Sequence, residues 1–61
     1  MTLRDQAAFV LDATLLAATR KYGIYTDSAR AILALWLDGG NVRAKYVRKL
    51  IKYLRSIALH A

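Results

Sequence analysis

Glycine stands at positions 23, 39 and 40 and nowhere else, and proline does not occur at all. These are the two residue types that end helices most sharply. The chain therefore has three stretches in which little stops a helix, separated by two places where one must stop. The stretches are rich in alanine and leucine, which lose least on entering a helix. The expected fold class is all-α, a small three-helix domain with helices over about 3–22, 27–38 and 42–59. No repeat, low-complexity segment or linker interrupts the pattern, so residues 1–61 are read as a single helical domain.

Caps support this division. Thr2 is suited to cap the first helix, with Asp5 in its first turn, Arg20 and Lys21 in its last, and Gly23 as the stop. "GIYTDS" reads as a short connection in which Thr26 or Asp27 caps a second helix that ends at Asp38. Gly39 and Gly40 then supply the positive φ values that turn the chain, and Asn41 is placed to cap the third helix.

Helical spacing assigns faces. In the first helix Leu3, Ala7, Val10, Leu11, Thr14, Leu15 and Ala18 form one broad face, while Phe9, Ala13 and Leu16 form a second. Two apolar faces need two things to pack against. A 61-residue chain buries only about 60% of its unfolded surface, and it has no cysteine and a single histidine, His60, to supply a disulfide or metal. A homodimer with an intersubunit helical core is the expected supplement. Ile32, Leu33, Leu35, Trp36 and Leu37 point almost all round the second helix, which is expected to be the central and most buried one, with Trp36 as a packing anchor.

The third helix divides most cleanly. Tyr46, Val47, Leu50, Ile51, Leu54, Ile57 and Ala58 fall within about 140° of arc, and Lys45, Arg48, Lys49, Lys52 and Arg55 are centred opposite. Charge is confined in the same way. Arg4, Arg20, Lys21 and Arg30 balance Asp5, Asp12, Asp27 and Asp38 up to residue 40, so residues 41–61, which have six cations and no acid, carry the whole net charge of +6. Glutamate is absent from the chain. A helix made only to be soluble alternates signs, so this one is biased towards an acidic partner.

The site predicted from this pattern is Arg43, Lys45, Arg48, Lys49, Lys52 and Arg55, contacting nucleic acid, DNA in preference. Lys45 to Arg55 make a stripe about 15 Å long, and duplex DNA presents one negative charge per roughly 1.7 Å. Arg43 sits in the first turn, where the helix dipole disfavours a cation. The unit from Thr26 to Arg55 has the outline of a helix-turn-helix, but its second helix is long and poor in polar base-readers. Backbone-dominated binding with modest sequence preference is expected, sharpened if a dimer sets two helices in successive grooves. Tyr46 and Tyr53, seven apart, are read as bordering the core rather than stacking on unpaired bases.

Rival readings use the same charges. A protein-binding module or inhibitor would dock the basic face on an acidic protein, and a membrane-active bundle would lay a basic amphipathic helix on a bilayer surface. The two aspartates of the first helix and the core-facing side of the third argue against the latter. Catalysis is not expected: no nucleophile and base constellation, phosphate loop or metal-ligand cluster is present, and no cofactor is implied. Asp5 and Asp12 interrupt the only leader-like segment. The longest apolar run, Ala31 to Leu37, falls far short of the roughly 20 residues that span a bilayer. A cytoplasmic location is the default expectation.

Overall fold

The computed structural model describes residues 1–15 and 23–60, the side chain of His60 excepted. Three helices are assigned there: α1 (Leu3–Ala13), α2 (Gly23–Leu37) and α3 (Ala44–His60). Each packs on the other two. The expected continuation of the first helix through 16–22, with Leu16, Ala18, Arg20 and Lys21, lies outside the described residues.

α1 starts as the sequence suggests. The Thr2 hydroxyl accepts from the Asp5 N–H at 3.1 Å and the Asp5 carboxylate accepts from the Thr2 N–H at 3.2 Å. This is a capping box in which aspartate replaces the usual glutamate. Its far end comes earlier than the pattern implied. Thr14 is buried as the C-cap, and its hydroxyl donates to the Val10 carbonyl at 2.6 Å. The same carbonyl also accepts the Thr14 N–H at 3.1 Å, so α1 closes on this residue. Leu15, expected on the core face, is half exposed.

The second helix begins at Gly23 and not at residue 27. Gly23, its first residue, has φ +67°, which glycine adopts without strain, and "GIYTDS" is helix instead of connection. Thr26 is accordingly not a cap. It is fully buried, and its hydroxyl shares a 2.8 Å hydrogen bond with that of Tyr53 in α3. The Tyr25 ring meets Tyr53 edge to face, with centroids 5.2 Å apart.

α2 ends through the paired glycines. The Gly39 N–H donates to the Trp36 carbonyl at 3.0 Å and the Gly40 N–H to the Leu35 carbonyl at 2.8 Å, while Gly39 adopts φ +98°. This is the Schellman arrangement, which satisfies two orphan carbonyls. A third is taken by Arg4 of α1, whose guanidinium donates to the Leu37 carbonyl at 2.6 Å and lies 5.6 Å from the centroid of the Trp36 ring.

The third helix begins at Ala44, two residues later than expected, and Asn41 does not cap it. Arg43 occupies the cap position, its carbonyl accepting the first helical bond from Val47 at 3.0 Å. The spacing explains the shift. Val42 packs against the core cluster that contains Val47, the pairing of a hydrophobic staple across a helix start.

The core comprises Ala7 and Val10 of α1, Ala29 and Leu33 of α2, and Val47, Leu50, Ile51, Leu54 and Ile57 of α3. The expectation that the second helix is the most buried is therefore wrong. α3 supplies the widest stripe, and α1 and α2 each offer a narrow one built around a small residue. Leu35, Ile24 and Tyr25 of α2 face outward. Trp36 is partly buried against the cluster, in keeping with its reading as a packing anchor.

Candidate nucleic-acid interface

A helix that closes the core with one face must present the other. Since α3 buries Val47, Leu50, Ile51, Leu54 and Ile57, its periodicity places Lys45, Arg48, Lys49, Lys52 and Arg55 outside, and all five are exposed. Arg43, at the cap position, is exposed beside them. The six predicted site residues thus lie along one ridge.

The ridge has a depression on each flank. One, of about 410 Å³, is lined by Arg43, Lys45, Tyr46, Arg48, Lys49 and Lys52. The other, of about 350 Å³, lies between α1 and α3 and is lined by Leu3, Gln6, Arg48, Ile51, Lys52 and Arg55. Arg48 and Lys52 border both, so the two form one basic track across the ridge. Arg55 is oriented on this track by a hydrogen bond from its guanidinium to the Gln6 side-chain oxygen at 3.3 Å.

How the molecule uses its other arginines makes the ridge distinct. Arg4 covers the C-terminal carbonyl of α2, and Arg30 donates to the Leu11 carbonyl near the end of α1 at 2.9 Å. Both sit where a helix dipole favours a cation. Among the described residues, Arg43, Lys45, Arg48, Lys49 and Lys52 have no hydrogen-bonding or ion-pair partner for their side chains. The four aspartates lie on α1, α2 and the turn after it, and among the described residues none is ion-paired to the ridge.

The two tyrosines separate. Tyr53 is tied to Thr26 and Tyr25 and packs on the core, as expected of a residue at its edge. Tyr46, placed by its spacing on the apolar face, is 45% exposed and stays outside the core cluster. It stands in the first turn of α3, beside Lys45 and Lys49. Residue spacing marks both tyrosines as equivalent, and neither this difference nor the contribution of Leu3 and Gln6 of α1 is readable without the packing.

Among the described residues no group of three or more histidine, cysteine or acidic side chains is placed to hold a metal, and no helix is long and apolar enough to cross a membrane. No protein-family model, curated protein or solved structure matches the chain.

Proposed function

We propose that this protein binds nucleic acid, DNA in the first place, through the exposed ridge of α3, and acts as a small cytoplasmic regulator. The observation that carries the reading is the set of cations without carboxylate partners on the outer face of a helix whose inner face is the core. Such a ridge meets phosphates without disturbing the fold, and each contact releases condensed counterions. Lysine and arginine dominate it, with Gln6 as the neighbouring amide, so affinity comes from the backbone and sequence preference is modest.

The reading includes a homodimer. Phe9 is 61% exposed on the second face of α1, with Ala13 exposed one turn further on. Covering these side chains in a second copy gives a marginally sized core the support it lacks and doubles the ridge.

The test is titration against duplex DNA over a range of salt. About five phosphate contacts per subunit give a slope of log K on log salt near −4.5, a loss of about several hundredfold between 50 and 200 mM. Replacing Lys49 and Lys52 by alanine reduces the slope by about 2. Both side chains are exposed, so helix content is unchanged. Absence of binding to duplex and single-stranded DNA alike at low salt, or a slope unmoved by the substitutions, refutes the reading.

A further inference from the structure

Among the described residues Tyr46 is the one aromatic side chain bordering the basic depression, and it lies outside the core cluster. Tyr53, seven residues on, has its hydroxyl bound to Thr26 and its ring packed on Tyr25. Among the described residues Tyr46 has neither a hydrogen-bond partner nor an aromatic or cationic neighbour over its ring. Its ring is available for stacking, and cations precede and follow it at Arg43, Lys45 and Lys49.

We infer that this depression takes an unpaired segment of DNA, with a base stacked on Tyr46 and the adjoining phosphates held by Arg43, Lys45 and Lys49. The inference rests on the proposed function and narrows it from nucleic acid in general to single strands. Three physical points favour an unpaired strand over a duplex. The faces of bases inside a duplex are already stacked, so a side chain on a helix flank has no face to meet there, whereas every unpaired base offers one. A track of cations beside an aromatic ring is the combination by which single strands are bound without regard to sequence. The ridge also lacks the paired amides that read base edges in a major groove, and its phosphate-binding groups extend past the aromatic platform through Arg48 and Lys52 into the second depression.

The experiment compares a 15-nucleotide oligothymidylate with a 15-base-pair duplex at one salt concentration, using the full chain and the variants Tyr46→Ala, Tyr46→Phe and Tyr53→Phe. Tyr46→Ala is expected to weaken oligothymidylate binding about tenfold or more, the scale of one lost base stack, with the salt slope unchanged. Tyr46→Phe retains the ring and should bind within about twofold of the parent. Tyr53→Phe, whose ring serves the core, should also leave binding unchanged. The inference is overturned if Tyr46→Ala binds the single strand as well as the parent does, or if the duplex is preferred over the single strand. In either case a steep salt dependence on duplex DNA keeps the broader proposal standing. Absence of binding to both forms at low salt removes both.

Discussion

Gly40 provides the most direct test of the packing. Its φ is not positive, so the reason for glycine there is space: a Cβ would lie 2.6 Å from Leu35 Cγ and 2.8 Å from the Leu35 carbonyl oxygen. The side-chain half of that clash is soft, because Leu35 is 55% exposed and free to swing outward. The carbonyl half is hard. That oxygen belongs to the helix backbone and accepts the Gly40 N–H at 2.8 Å, the long-range bond of the Schellman turn. Making room for a methyl group means opening the turn and weakening that bond, at about 0.5–1.5 kcal/mol, with added strain in the chain leading to α3. Gly40→Ala should therefore cost about 1–3 kcal/mol. For a chain this short, that is a fall in Tm of roughly 5–20 °C.

The sign is what makes the experiment decisive. Without a clash, replacing glycine by alanine stabilises by about 0.4–1 kcal/mol through the unfolded chain, and Tm would rise. Thermal melting followed by far-UV circular dichroism, at one protein concentration because a dimer makes Tm concentration-dependent, separates the two cases. Gly40→Ala combined with Leu35→Ala should recover only part of the loss, since the carbonyl contact remains. A single variant as stable as the parent refutes the account of this turn.

Other consequences follow from the same packing. Leu54 is fully buried in α3, so Leu54→Ala should cost about 2–5 kcal/mol in chemical denaturation, enough to leave much of a 61-residue domain unfolded. Thr26→Val and Tyr53→Phe each strand one hydroxyl of a part-buried pair and should each cost about 1–2 kcal/mol, whereas the double variant should cost clearly less than their sum; additive losses would show that the two hydroxyls do not support each other. Phe9→Glu should convert the proposed dimer to monomer in light scattering and, with the intersubunit support lost, lower Tm at equal protein concentration; a parent that is already monomeric refutes the dimer.

Much of the architecture is a local matter and was readable as such. The glycine positions divide the chain into three helical stretches, the cap at Thr2 follows from threonine followed by aspartate three residues on, and the two faces of α3 follow from periodicity alone. The candidate ridge belongs to this class, because a stripe of cations opposite a stripe of aliphatics faces outward whichever partner covers the aliphatics. Boundaries were less readable. Gly23 suits the end of one helix and the start of another equally well, and only the partner offered by Tyr53 drew Thr26 into the core as part of α2.

What the sequence by itself determined, then, is what each helix does on its own: where it is broken, which side of α3 is apolar, and where the charge collects. Only the tertiary structure decided how those faces are shared. It made α3 rather than α2 the main contributor to the core, and it placed Arg4 and Arg30 on helix ends. It also gave two tyrosines seven residues apart different fates, Tyr53 held by α2 and Tyr46 left beside the cations. The physical reason is that periodicity records which residues lie on one side of a helix, whereas the length over which a neighbouring helix covers that side depends on where that neighbour starts, stops and crosses.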